Sequence, residues 1–485
     1  MLAIGVNTGS AFKDITLGIY ASFFTNFNDA ITAAANKKLY IDASINLPAG
    51  AIIIPSNVSV EPIQGGVINK GSATSLTING PVVGNPMHQW LSGFAATEIL
   101  GLKEMRVEWV GAVGDGNTES ATALQLAFDW WMAGSNRTVI MRGNYKSSTA
   151  LTIASSTSAI NSKLDAAGAT ITTYNTGVGL TTGGSGKTFT RNTIDGLRIA
   201  AGSSNVNTLL KISEATFDSK FHNIHLIGYG PTSRTKQGLL MYGLNAYFST
   251  FTNLTVWDCD YQISINKDQQ TGDIVPVPGY SNATRIIGFS SYNQGVCGIY
   301  TTQLASCTFV GLDFTNAGAS STEDIYIGAD SSDNIFKGRH ESMTYNASGG
   351  PYTHNIAASA TITGNYLESN LWSIVNGAAQ QLRENIIVKL SSTNSSIAIN
   401  TLRARYLYNH TDQPISIINN GFSGGNDAIT IDSNGPNFPA GYRSATSTPA
   451  SASATGVTGQ WAWDASYIYI CTATNTWKRV AIVAW

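Results

Sequence analysis

Phe221-His222-Asn223-Ile224-His225-Leu226 and, 30 residues later, Phe251-Thr252-Asn253-Leu254-Thr255-Val256 share one pattern: apolar, any residue, Asn, apolar, any, apolar. Apolar and polar positions alternating over so short a run have the period of a strand, and the Asn marks a turn residue. Outward from this pair the unit recurs with Gly or Asn as its anchor. It reads Ile194-Asp195-Gly196-Leu197-Arg198-Ile199 upstream, with a poorer copy around Gly288-Phe289. Downstream stand Phe309-Val310-Gly311-Leu312-Asp313-Phe314 and Phe336-Lys337-Gly338-Arg339-His340-Glu341. The anchors at 196, 223, 253, 288, 311 and 338 lie 27, 30, 35, 23 and 27 residues apart. One layer of a solenoid takes about 20–30 residues, and longer intervals map to loops on one face. An antiparallel sandwich would turn about every 8–12 residues without a single recurring anchor. The repeat predicts an all-β chain coiled as a parallel β-helix.

Composition agrees. The chain has 485 residues, of which 12% are charged, with a net charge of −2, 48 glycines, 43% hydrophobic residues and 10% aromatics. A chain with that apolar content folds, and its surface is hydroxyl and amide rather than charge. No basic stripe for nucleic acid exists, nor a polybasic run for an anionic membrane. No stretch approaches the roughly eighteen apolar residues of a membrane span, so no membrane insertion is expected. The Met1-Leu2-Ala3-Ile4-Gly5-Val6 start lacks the basic region and long apolar core of a signal peptide. Cys259, Cys297, Cys307 and Cys471 make no CxxC pair and read as interior fillers.

Two helices stand out from the β background. Phe24, Phe27, Ile31 and Ala34 recur at helical spacing, and Ala121, Leu124, Ala127, Phe128 and Trp131 make a second apolar face. Thr118 is placed to cap the second, with Glu119 where the helix dipole favours an anion. Each helix is expected to lie across an otherwise exposed end of the stack. Residues 1–100 then form an N-terminal cap and lead-in, 101–400 the β-helix and 401–485 a C-terminal β region. Within the last, Ser444 to Gly459 reads as a Ser/Thr/Ala/Pro/Gly linker. Short aromatic strands follow in Trp461-Ala462-Trp463, Tyr467-Ile468-Tyr469-Ile470 and Trp477-Lys478-Arg479-Val480. A hairpin of that size is too small to be stable alone.

The run Val107-Glu108-Trp109-Val110-Gly111-Ala112-Val113-Gly114-Asp115-Gly116-Asn117-Thr118, leading into the second helix, resembles the opening motif of the pectate-lyase-like right-handed parallel β-helix superfamily. Many bacteriophage tailspikes and capsule depolymerases belong to that superfamily. Leu76-Thr77-Ile78-Asn79-Gly80-Pro81 looks like the lead-in of such proteins, and the aromatic tail looks like the terminal segment of phage fibres and spikes. Locally, the glycines permit a tight turn and Asp115 is placed to accept from nearby backbone N–H groups, a structural part rather than a catalytic one. The resemblance implies a right-handed β-helix assembled as a homotrimer, carried on the virion through phage tail or baseplate proteins. It implies binding and depolymerisation of a bacterial surface polysaccharide, capsule or O-antigen, at the host cell surface; it does not settle the reaction, for which glycosidic hydrolysis is the expectation. A non-catalytic receptor-binding spike and a polysaccharide lyase are the alternatives. No cofactor is expected.

Hydrolysis of a glycosidic bond needs two carboxyl groups, about 5–5.5 Å apart for retention or about 6.5–9.5 Å for inversion. Strands on neighbouring layers lie about 4.8 Å apart, so acids on adjacent layers fall in range. Asp258 and Asp260 flank Cys259 just beyond one repeat; Asp313 and Asp324 lie further on. The last repeat carries Arg339 and Glu341 where the others carry apolar pairs, and Glu368 follows 27 residues later. Burying an unpaired charge is costly, so this repeat is either a structural Arg–Glu ladder or a strand turned outward into a groove. Anchored on Asn365, Glu368 stacks on Glu341; anchored on Gly364, Leu367 does so instead. Glu341, Glu368, Asp258 and Asp260 are the catalytic candidates, and Arg339, His340, Tyr345 and Tyr366 the substrate-binding ones. The Asn-Thr-Asp, Asp-Asp, Gly-His-Gly and Arg-Ile-Lys motifs of polygalacturonase-like hydrolases are missing. His222 and His225, three apart on a strand, are expected on opposite faces, so no metal site is expected. Gly183-Gly184-Ser185-Gly186-Lys187-Thr188 lacks the spacing of a phosphate loop.

Overall fold

A computed structural model describes the backbone of residues 5–7, 12–14, 18–84, 86–155, 159–184, 186–213, 216–242, 247–274, 281–316, 323–327, 331–332, 334–342 and 448–484, with short strands between 353 and 437. Side chains are described within 18–315, 325–327, 334–337 and 448–484. The chain divides into two units, residues 1–406 and 407–485.

The first unit is a parallel β-helix. Parallel pairing already links Gly18–Tyr20, Lys38–Ile41 and Ser59–Pro62 on one side of a short N-terminal coil. Beyond it, among the described residues, one sheet of 15 strands and another of 10 run the length of the main coil, with short sheets closing the third side. Seven strands of the long sheet matter below: β1 (Lys220–Ile227), β2 (Thr250–Trp257), β3 (Arg285–Tyr292), β4 (Thr308–Asn316), β5 (Ile335–Ser342), β6 (Tyr366–Ser369) and β7 (Ile387–Leu390). Each pairs in parallel with the next.

The anchors of the repeat have a common backbone cause. Gly196, Asn223, Asn253, Gly288 and Gly311 sit at φ of 76, 53, 56, 71 and 67°, in the left-handed region that Gly and Asn enter at least cost. The amides also link the layers. Asn253 Nδ2 donates to Asn223 Oδ1 at 3.1 Å, and Asn223 Nδ2 donates to Asp195 Oδ1 at 3.0 Å. Five residues before each anchor a second left-handed column turns the corner into the strand: Arg191, Asp218, Phe248, Ala283 and Ser306. Inside the bend, Phe221, Phe251, Ile286, Phe309 and Phe336 stack in register, all buried. The Phe221 and Phe251 rings lie parallel at 4.5 Å, and those of Phe309 and Phe336 at 4.7 Å.

The left-handed residue also resets the alternation of faces. Phe221 and Ile224 both point inward, so His222 and His225, on either side of Asn223, both lie half-buried on the outer surface rather than on opposite faces. Simple period-2 counting fails across the bend.

The two expected helices form as Phe27–Ala33 (α1) and Ala121–Met132 (α2). The second does not cover a free end. Trp130 Nε1 donates to Ile99 O in the N-terminal coil at 3.1 Å, while Gln125 Nε2 donates to Thr152 O in the main coil at 2.8 Å. Thus α2 ties two coils together, with Leu124, Phe128, Trp130 and Trp131 fully buried. Its N-cap is Ser120, not Thr118. Thr118 Oγ1 instead donates to Asp115 at 2.7 Å, and Asp115 also accepts from the Asn117 and Thr118 N–H groups at 2.8 and 2.7 Å. Those Thr118 and Asn117 bonds hold the Asp115 carboxyl below its ordinary range, as a structural turn requires.

In the second unit Trp461–Trp463, Tyr467–Ala473 and Thr476–Ala481 form an antiparallel three-stranded sheet. The stretch read as a linker is not free. Its described part, from Thr448, packs on Trp477: Trp477 N donates to Ala452 O at 2.8 Å and its Nε1 to Ala454 O at 3.1 Å. Small residues are required there, since a Cβ at Gly456 would come within 2.7 Å of the indole. Asp464, accepting from the Tyr469 hydroxyl and the Ser466 and Tyr467 N–H groups, has its carboxyl pulled down to about 2. All four cysteines are buried free thiols.

The bend column sets a prediction. Asn253→Gly keeps the left-handed backbone and loses only the amide link, whereas Asn253→Ala loses both. We expect a loss of about 1 kcal/mol or less for Gly and about 2 kcal/mol for Ala. Apparent melting temperatures at one fixed scan rate should therefore fall in the order wild type, Gly, Ala. An Ala variant as heat-resistant as the Gly variant would contradict this.

Candidate functional site

The register of the long sheet lays two parallel rows along its outer surface. One row runs Arg198, His225, Thr255, Ser290, Asp313, Arg339. The neighbouring row, two residues further along each strand, runs Ala200, Ile227, Trp257, Tyr292, Thr315, Glu341. Between them point inward Leu226, Val256, Ser291 and Phe314, all buried.

The centre of the second row is aromatic and open to solvent. Trp257 is 38% exposed and Tyr292 40%, with ring centroids 5.9 Å apart. His225 meets Trp257 edge-on at 4.6 Å, and its Nε2 is buried without a hydrogen-bond partner. Burial, and then the Arg198 guanidinium, hold the His225 imidazole below its ordinary value. The two partly exposed rings, tilted 60° to one another, offer apolar surface that suits a ligand with apolar faces of its own.

The corner after Trp257 and Tyr292 is polar and closely paired. Asp258 and Asn293 both turn there with φ of 55°. Asn293 Nδ2 donates to Asp258 Oδ1, while Arg234 Nη2 donates to Asn293 Oδ1 at 2.9 Å and its Nε to Asn293 O at 3.2 Å. Asp260 forms an ion pair with Lys236 at 3.3 Å, and that ammonium lies 5.3 Å from the centre of the Tyr261 ring. Between the two acids the Cys259 thiol is pushed up by burial and then by their charges. Asp258 and Asp260 therefore each have a dedicated partner, an arrangement that fixes a turn.

The repeat that carries Arg339 and Glu341 is where the register breaks. Phe309 pairs with Phe336 and Val310 with Lys337, but after a shift at Gly311 it is Leu312 that pairs with Gly338. This one-residue slip puts Arg339 beside half-buried Asp313 and Glu341 beside half-buried Thr315, out of the rows of buried Leu312 and Phe314. A slip of one residue exchanges which positions share a row, so Arg339 and Glu341 leave the register rows of Leu312 and Phe314 and His340 enters that of Phe314. His340 pairs with Phe314 and Tyr366 with Ile335.

Neither anchoring considered from the sequence holds, since Gly338 pairs with Ser369, and Glu368 does not stack on Glu341. Its neighbour in register is Lys337 on one side and Lys389 on the other. It stands four residues upstream along the layer, about 13 Å of strand. Tyr345, Gly364 and Asn365 lie outside the described residues. Trp257 and Tyr292 were missed because their positions, just past the six-residue repeat, carry no recurring letter. Among the described residues no three His, Cys, Asp or Glu side chains gather as a metal cluster.

The His225 shift has a sign. With the folded value below about 6.5, the unfolded chain takes up a proton first as pH falls, so stability is lost below that pH. Melting temperature should drop between pH 7.5 and 5.5, and His225→Gln should remove part of that drop. An identical drop in the variant would contradict the assignment.

No family model matches the sequence. A 39-residue segment, 8% of this chain and 5% of the relative, is 62% identical to the capsule K30/K69-specific depolymerase of Klebsiella phage K64-1. Among solved structures, the tailspike of Acinetobacter phage vb_AbaP_AS12 aligns over 63% of this chain and 64% of its own, with 12% identity and a TM-score of 0.38. The receptor-binding protein of bacteriophage Det7, a tailspike, aligns over 96% and 98%, with 10% identity and a TM-score of 0.37. At these identities neither structural likeness bears on chemistry. The chain is a parallel β-helix that shares a short, closely matching segment with a phage capsule depolymerase.

Proposed function

We propose that this chain is a phage tailspike that binds and depolymerises a bacterial surface polysaccharide, capsule or O-antigen, by hydrolysis. The observation that carries the reading is the open aromatic pair Trp257–Tyr292 lying in one register row with Glu341. Pyranose rings have apolar faces that stack on indole and phenol, and a polymer laid along the coil meets one layer about every 4.8 Å. An acid two layers beyond Tyr292 then lies within reach of a glycosidic bond held on the platform. The segment shared with a capsule depolymerase supports the same reading.

The role of the scaffold follows. A rigid coil holds aromatic and acidic groups at fixed spacing without spending binding energy on ordering loops. Glu341 serves as one of the two carboxyl groups that exchange protons with the glycosidic oxygen and water. The same few charges that leave the surface amide- and hydroxyl-rich suit packing of three such coils side by side, on a phage tail, as a homotrimer.

Two outcomes test this. Mixed with purified capsular polysaccharides, beginning with Klebsiella types K30 and K69, the protein should release reducing ends without absorbance near 235 nm, which a lyase product would show. Glu341→Gln should lower that release by about a thousandfold, and Trp257→Ala should weaken glycan binding by about tenfold. In detergent gels the unheated protein should run at three chain masses and the boiled protein at one. A stable monomer by light scattering would remove the homotrimer. Binding without product would leave a receptor-binding spike.

A further inference from the structure

We infer that the second carboxylate of the site is Asp313, not Glu368, and that the slipped register at Gly311 exists to bring it beside Glu341. The inference rests on the depolymerase reading and deepens it.

The geometry is set by the layers. Asp313 and Glu341 occupy adjacent strands, β4 and β5, with Asp313 paired to Arg339 and Glu341 two residues further along. One layer step of about 4.8 Å and two residues of about 3.3 Å each place the two Cα atoms about 8 Å apart. Without the slip, Gly338 would pair with Gly311 and Glu341 with Phe314, in a buried row. With it, Glu341 joins the row of Trp257 and Tyr292 while Asp313 holds the row beside it. In register, Asp313 stands one layer and Glu341 two layers beyond Tyr292. Glu368 has no such neighbour, lying in register between Lys337 and Lys389 on the far side of the bend. That alternation of charge is what a structural ladder needs.

A single displacement by water fits the pair. Glu341, as the carboxylic acid, gives its proton to the glycosidic oxygen while the bond from that oxygen to the anomeric carbon breaks. Asp313, as the carboxylate, takes a proton from a water whose oxygen forms the new bond to that carbon. One water is consumed and no other reactant is required. The anomeric configuration inverts.

The test compares Asp313→Asn, Glu341→Gln and Glu368→Gln in the full chain, on a capsular polysaccharide that the wild type cleaves, by reducing-end release. Asp313→Asn and Glu341→Gln should each lose about a thousandfold in turnover, and the double variant little more than either alone. Glu368→Gln should keep activity within about threefold. Melting temperature and retention on a polysaccharide column should match wild type for Asp313→Asn, which a merely structural Asp313 would not allow. Azide should restore turnover to Asp313→Asn as glycosyl azide, because a small anion replaces the activated water. Asp313→Asn with more than a tenth of wild-type activity, or Glu368→Gln as inactive as Glu341→Gln, would overturn the assignment. A wild type that cleaves none of the panel would instead overturn the depolymerase reading, and this inference with it.

Discussion

The structure depends on one backbone constraint, the left-handed residue at the third place of the repeats from Gly196 to Gly311. Gly and Asn are there because other residues enter that region at a cost. The bend brings two inward positions to either side of it, so each layer contributes a phenylalanine or isoleucine column on one side and Ile224, Leu254, Phe289 and Leu312 on the other. It also turns both flanking polar positions outward. A row of core residues and a row of surface residues thus run the length of the coil from a six-residue sequence pattern. Asp313 joins the outer row through the regular pairing with Ser290, and the slip at Gly311 adds Arg339 and Glu341 to the rows.

That break explains how much of the molecule was legible. The repeat gave the layer length, the parallel coil and the inward residues directly, because burial enforces letters at those places. The second left-handed column was not legible: Arg191, Asp218, Phe248, Ala283 and Ser306 share a conformation but no side-chain chemistry. The candidate site was half legible. Arg339 and Glu341 drew attention as charges in core places, but the slip that resolves them changes register by one residue, and no letter announces it. Glu368 follows Glu341 by 27 residues, the interval of other layers, but β5 and β6 pair at an offset of 31 (Lys337 with Glu368), so it falls beside Lys337. The opposite-face reading of His222 and His225 fails for a different reason, the left-handed Asn223 between them.

Elements outside the repeat show the complementary lesson. Helical periodicity identified α2 correctly, yet its partners lie on both sides: Ile99 in one coil and Thr152 in the other. Amphipathicity alone names one apolar face and is silent on what meets the other. In the C-terminal unit, composition suggested a linker where small residues instead lie flat on Trp477. Ser, Ala and Gly fit a flexible tether and a close-packed layer equally well. Only the indole distinguishes them.

The central claim is that glycan lies along the outer surface of the long sheet, over Trp257 and Tyr292 and toward Glu341. The most direct measurement is a crystal structure of the Glu341→Gln protein with a capsular oligosaccharide of several repeats. The account predicts successive sugar rings stacked on Trp257 and Tyr292, the chain running along the coil axis and a glycosidic oxygen beside residue 341. An oligosaccharide bound on another face, with the aromatic row bare, would contradict it.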